Sequence, residues 1–192
     1  MRYLRATRLF KLEYTSTPNR LDREGFFGYY DAAHADDIDT RRSTISYLFF
    51  YYGMIISWKS RLHSYVTLST NHSEYITASV AAREAMFLTK MAMFMGIEKE
   101  AKPLALFSDS AGAIAMAHNP VQHEASKHIE LADHYVREQV ERGMITITHV
   151  RTVDMLADAL NKILPGPHFM FLISKFMKIT DECLAHARQA RK

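Results

Sequence analysis

Hydrophobic and polar positions along the chain change period several times, and each change marks an element. Leu104-Ala105-Leu106-Phe107 is a short apolar run that stops abruptly at Ser108-Asp109-Ser110. Ala111, Ala113, Ile114, Ala115, Met116 and Ala117 follow as a small-residue helical pattern. This predicts a buried strand feeding directly into a helix. An aromatic run, Phe26-Phe27-Gly28-Tyr29-Tyr30, closes in the same way on Asp31. Thr44 to Tyr52 is rich in Tyr, Phe, Ile and Leu; Gly53 breaks it, and Met54-Ile55-Ile56-Ser57-Trp58 resumes. Two such runs about a glycine predict a hairpin. Lys59, Ser60, Arg61 and His63 interrupt, and Tyr65-Val66-Thr67-Leu68 predicts a further short extended piece. Residues 26–68 thus read as three strands in an antiparallel meander.

The longest helical pattern runs from Ser69, Thr70 or Asn71, all cap candidates, to Met95 before Gly96. At about 100° per residue, Glu74, Ala78, Ala81, Ala85 and Ala92 share one narrow side. Ile76, Val80, Phe87, Met91 and Phe94 share another. An alanine stripe lets a helix lie close on a sheet, so Glu74 is aimed at the sheet from the first turn. His118-Asn119-Pro120 is a break, and a second helix is predicted from about Ala125 to Arg142, with Gly143 beyond. Met144 to Val150 alternates as a strand. Thr152 is placed to cap a helix over Val153–Leu164, with Leu156, Ala159, Leu160 and Ile163 facing the core and Asp154 and Asp158 sharing another face. Pro165-Gly166-Pro167 ends the unit, and a Phe- and Met-rich tail follows. The order is β-β-β-α-β-α-α-β-α, a mixed α/β fold.

Composition narrows the class. The chain has 192 residues, 48% of them hydrophobic, enough for one buried domain with extensions. Cys183 is the single cysteine, which rules out an internal disulfide and points to a reducing, cytoplasmic or nuclear setting. No apolar run has the ~20 residues of a membrane-spanning helix, and no membrane partner is expected. The first residues, MRYLRATRLFKLEY, lack the apolar core of a secretory signal. A net charge of +3 permits a polyanionic partner without requiring one.

The carboxylates carry the chemistry. Asp31 and Asp109 end strands, Glu74 opens a helix, and Asp158 lies on a late helix. Capping is the plain alternative for Asp109, and solvated charge for Glu74 and Asp158. Converging carboxylates repel and raise one another's pKa, so a protein that gathers them needs a cation. Oxygen ligands without cysteine suit Mg²⁺ or Mn²⁺. Two such ions about 3.5–4 Å apart can activate water and stabilise the leaving oxygen in phosphodiester cleavage. His149 and His128 are candidates for a proton shuttle, with a structural histidine as the alternative for each.

The order of elements and these acids resemble the ribonuclease H fold, a five-stranded mixed sheet flanked by helices. Further residues resemble the ribonuclease H domain of copia-type LTR retrotransposon polyproteins. They are Gly28-Tyr29-Tyr30-Asp31-Ala32, Asp39 with Arg41-Arg42-Ser43-Thr44, and Ile56-Ser57-Trp58-Lys59-Ser60. Leu68-Ser69-Thr70 with Glu74-Tyr75, and Ser108-Asp109-Ser110 with Ala113-Ile114-Ala115 and Asn119-Pro120, continue the series. Lys127-His128-Ile129-Glu130, and Leu156-Ala157-Asp158 with Lys162, complete it. The resemblance spans residues 25–165. It implies that Asp31, Glu74, Asp109 and Asp158 are the metal-binding catalytic acids, holding two Mg²⁺ or Mn²⁺ ions. It implies hydrolysis of the RNA strand of RNA–DNA hybrids, read by shape and phosphates. Arg41, Arg42, Lys59 and Arg61 are candidate phosphate contacts.

Residues 1–24 resemble the end of the preceding reverse-transcriptase region, itself a possible partner. Residues 166–192 are expected to form a C-terminal helical tail. The chain departs from the family pattern at Ala33-His34, at Asn71-His72-Ser73, and at Ser46, where the family carries glycine. The missing glycine predicts a distorted hairpin. These departures suggest a diverged copy, and the alternative function is a weak or inactive domesticated module that binds nucleic acid or protein.

Overall fold

The computed structural model of the chain describes residues 2–14, 21, 23–118 and 127–189. Its centre is a five-stranded sheet in the order β3-β2-β1-β4-β5. β1 (Phe26–Ala33), β2 (Thr44–Tyr51) and β3 (Met54–Leu62) form the antiparallel half. β4 (Leu104–Ser108) and β5 (Ile145–His149) add in parallel beside β1. The meander is as expected, except that β1 runs two residues past Asp31 and β3 is longer than its apolar run. β3 runs on through Lys59–Leu62, and no strand is found at Tyr65–Leu68 among the described residues. Charge does not interrupt an edge strand whose side chains can reach solvent; Lys59 lies over the Tyr47 ring and Ser60 donates to the Leu160 carbonyl at 2.7 Å.

The β2–β3 turn is only two residues long, Tyr52 and Gly53, both at positive φ (46° and 72°). That is the turn whose twist matches a hairpin. Gly28 meets a different demand. A Cβ there would stand 2.6 Å from a Phe49 ring carbon and 3.2 Å from Leu106. Phe49 crosses β1 only because position 28 has no side chain. Gly28→Ala is expected to lower stability by about 1–3 kcal/mol through overpacking, read as a drop in the thermal midpoint.

α2 (Thr70–Phe94) lies on one face of the sheet. The Ser69 hydroxyl caps it, accepting from the His72 N–H at 3.2 Å, and Gly96 at φ 70° follows its end. The alanine stripe is buried as expected, with Ala78, Ala81, Ala85 and Ala92 against the sheet. On the second stripe Ile76 and Val80 are buried, but Phe87 and Phe94 face solvent at 55% and 87% exposure. α3 (Ala111–His118) and α4 (Lys127–Glu141) complete this layer, around a core that includes Tyr30, Ile45, Tyr75, Leu104 and Ile145. The opposite face carries a second core of Phe27, Tyr29, Leu48, Phe50, Phe107 and Met155.

The helix expected over residues 153–164 is broken. Thr152–Asp154 make one 3₁₀ turn, Met155 is extended at ψ 98°, and α5 is only Asp158–Asn161. Met155, Leu156 and Ala157 are all buried. Three consecutive residues cannot all face one sheet from a helix of 3.6 residues per turn, so the chain unwinds to bury them. In consequence Ile163 is fully exposed and not in the core. Asp154 pairs with Arg151 at the surface, whereas Asp158 is buried.

The tail forms α6 (Gly166–Ile173), whose Leu172 joins the second core, and α7 (Asp181–Gln189). α7 packs on α1 (Arg2–Thr7). The Cys183 thiol donates to the Leu9 carbonyl at 3.2 Å, and Lys11 and Lys178 form an antiparallel bridge. The first and last described segments therefore hold each other, and Tyr14 anchors them to β3 by donating to the Ile55 carbonyl at 2.8 Å. No helix among the described residues is long and apolar enough to cross a membrane.

Candidate active site

Asp31 lies within β1, two residues before its end, and Asp109 directly follows β4, the neighbouring parallel strand. Ser110, not Asp109, caps α3: its hydroxyl accepts from the Ala113 N–H at 3.2 Å. The Asp109 carboxylate is not spent on the helix. Gly112 lets α3 approach the start of α2, since a Cβ there would meet the Asn71 amide at 2.5 Å. That approach brings Asp109 to Glu74. One ligand oxygen from each of Asp31, Glu74 and Asp109 lies within 4.8 Å of the others, a group that could hold a metal ion.

Asp158 joins this group through a lysine. Lys162 Nζ stands 3.1 Å from Asp31 Oδ1 and 2.8 Å from Asp158 Oδ1. Asn161 Nδ2 donates to Asp31 Oδ2 at 2.8 Å and to the Asp31 carbonyl at 3.2 Å. Both oxygens of the fully buried Asp31 are thus held by the end of α5. Asn161 and Lys162 were not among the expected site residues. The four-residue spacing of Asp158 and Lys162 is the signal that carried the pair.

Burial dominates the electrostatics. Desolvation, with Asp31 and Asp109 adding repulsion, pushes the Glu74 pKa up to about 9. Glu74 Oε2 is buried without a hydrogen-bond partner. Desolvation and then Asp31 raise Asp158 to about 6, against the pull of Lys162. Burial works against the Lys162 ammonium, but Asp31 and Asp158 together outweigh it and hold its pKa above the ordinary lysine value. A buried carboxylate with an orphaned oxygen beside two others fits a hard divalent cation.

Ser46, which stands where a glycine was expected, does not distort the hairpin. β1 and β2 pair without a register shift past Asp31 and Ser46; the shift lies between β2 and β3 at Phe49 and Phe50. Instead the buried Ser46 hydroxyl donates to the Ala157 carbonyl at 3.1 Å, tying β2 to the residue before Asp158. His149 ends β5 opposite Ser108, exposed, and so one residue in register from Asp109. The His128 side chain lies outside the described residues. Arg41 and Arg42 sit in the β1–β2 loop, and Arg61 pairs with Ile45 near the same sheet end. Lys59 is two residues further along β3.

Comparison with known proteins agrees with this architecture. No family model matches the chain. A retrovirus-related Pol polyprotein from transposon TNT 1-94 of Nicotiana tabacum is 36% identical over 142 residues, 74% of this chain. A second, from transposon RE2 of Arabidopsis thaliana, is 32% identical over 157 residues, 81% of the chain. This chain is thus homologous to a segment of retrotransposon Pol polyproteins. It spans only 10% and 11% of the length of those two relatives. The fold is ribonuclease H-like. The N-terminal RNase H domain of a Mycobacterium tuberculosis protein aligns at TM-score 0.53 and 11% identity, covering 79% of this chain and 98% of that one. LC11-RNase H1, solved in complex with an RNA/DNA hybrid, aligns at TM-score 0.50 and 13% identity, covering 71% of this chain and 93% of that one.

Proposed function

We propose that this domain is a divalent-metal-dependent endonuclease that hydrolyses the RNA strand of RNA–DNA hybrids, within a Pol polyprotein or a gene derived from one. The observation that carries this reading is the Asp31–Glu74–Asp109 group, with oxygens within 4.8 Å of one another. Those three residues would hold Mg²⁺ or Mn²⁺, with Asp158 beside them. When bound, such an ion supplies Lewis acidity at a phosphodiester and a water of lowered pKa. Asp31 is fixed by Asn161 and Lys162, so its carboxylate presents one orientation. Glu74 would give up its proton as a cation enters, because the cation offsets the burial and the repulsion that hold the proton there. His149, exposed at the end of β5, would relay a proton to or from bulk water. Arg41, Arg42, Arg61 and Lys59 would meet hybrid phosphates, with little sequence preference.

The test is strand-specific cleavage. End-labelled RNA is offered to the protein, with Mg²⁺ or Mn²⁺, as a hybrid, as duplex RNA and as a single strand. The expected result is cutting of RNA in the hybrid only. Binding of hybrid without cleavage under either metal would replace this reading with that of a binding module.

A further inference from the structure

Lys162 stands where a second cation would compete. Its ammonium bridges Asp31 Oδ1 and Asp158 Oδ1, at 3.1 and 2.8 Å. Asp158 is not in the group whose oxygens converge within 4.8 Å, although it is buried and only one turn from Lys162. Asp31 therefore has two cationic or donor partners on the α5 side and two carboxylate neighbours on the other. Lys162 is no loose surface lysine: its side chain is 31% exposed, and it comes from an α5 end held to the sheet by Asn161 and by the Ser60 contact to Leu160.

Charge counting points the same way. Four carboxylates and one ammonium leave three negative charges at most. One divalent ion reduces this to one negative charge. A second, with Lys162 still in place, would make the centre positive and set ammonium against metal at close range. Without Lys162 the two ions and four carboxylates balance.

We propose that Lys162 is a built-in cation competing with a divalent ion for the Asp31–Asp158 edge. The centre then loads one ion at Asp31, Glu74 and Asp109, and a second only by displacing Lys162. This rests on the preceding reading in taking that group as a metal centre. Lys162 is a positioning residue, since it acts through Asp31 and Asp158.

Mn²⁺ binding, read from the loss of the free-ion electron paramagnetic resonance signal, tests it without any assay of cleavage. The wild type is expected to take up one ion at least about tenfold more tightly than a second. Lys162→Met should tighten the second ion about tenfold or more, whereas Lys162→Arg, which keeps the charge, should bind as the wild type does. Lys162→Gln carries the same expectation as Lys162→Met and serves where the latter does not fold. In either neutral variant, added Mn²⁺ should raise the thermal midpoint by more than in the wild type. Identical second-ion binding in the wild type and a neutral variant would overturn the role of Lys162 alone. If the wild type takes up no Mn²⁺ and Asp109→Asn matches it, the metal centre itself is refuted.

Discussion

Asp31→Asn is expected to reduce cleavage of the RNA strand by about a thousandfold or more. Asp31 is the hub of the site. It is fully buried, converges with Glu74 and Asp109, and receives Lys162 on one oxygen and Asn161 on the other. An asparagine presents an NH₂ group to one of those two donors, whichever way its amide is turned. One donor pair must then face each other around a buried side chain, at a cost of about 1–3 kcal/mol. The variant also removes a negative charge from the metal centre. Initial rates on labelled hybrid measure the first effect, and the thermal midpoint in EDTA measures the second. A fall in stability with full activity would take Asp31 out of the catalytic set.

Glu74→Gln should separate activity from stability. Glu74 ionises at about 9 in the folded chain, against an ordinary value of 4.5. Between those values the unfolded chain has lost the proton and the folded chain keeps it. Stability in EDTA therefore falls as pH rises through that window. Glutamine has no proton to lose, so the variant should escape the fall. It should exceed the wild type by about 2 kcal/mol by mildly alkaline pH, with no advantage below the ordinary carboxylate pKa. Cleavage should be lost, because a neutral amide is a poor ligand for a hard cation. Denaturant midpoints at several pH values, with and without Mn²⁺, measure both. Asp158, raised to about 6, adds a smaller fall over the lower part of the same window. A wild-type stability that does not change from acid to alkaline pH would contradict the arrangement.

The sheet was legible because its strands keep one period and end on turn residues or acids. The alanine stripe of α2 placed Glu74 correctly from spacing alone. Periodicity failed where tertiary burial overrode it. Leu156, Ala159, Leu160 and Ile163 have helical spacing, yet burying Met155, Leu156 and Ala157 together required a break. Period arguments see one face at a time and miss a segment buried on three successive residues. Asp31 and Asp109 stood out as charges that follow apolar runs. Asn161 carried no such signal, and Lys162 entered only as a companion of the Leu156-Ala157-Asp158 motif, without a role. Only the fold shows that this helix end turns back onto Asp31. Ser46 misled for a related reason. A glycine lost from a hairpin suggests strain, but here β1 and β2 keep their register and the hydroxyl finds a carbonyl acceptor.

The most direct measurement compares wild type and Asp109→Asn on a labelled RNA–DNA hybrid, in Mg²⁺, in Mn²⁺ and in EDTA. Asp109 is the least entangled of the acids, since Ser110 takes the capping role, so its substitution should leave the fold intact. The wild type is expected to cut the RNA strand with either metal and not in EDTA, and the folded variant not to cut it, as a metal centre at Asp109 requires. Cleavage by the variant at the wild-type rate, or by the wild type in EDTA, would contradict it.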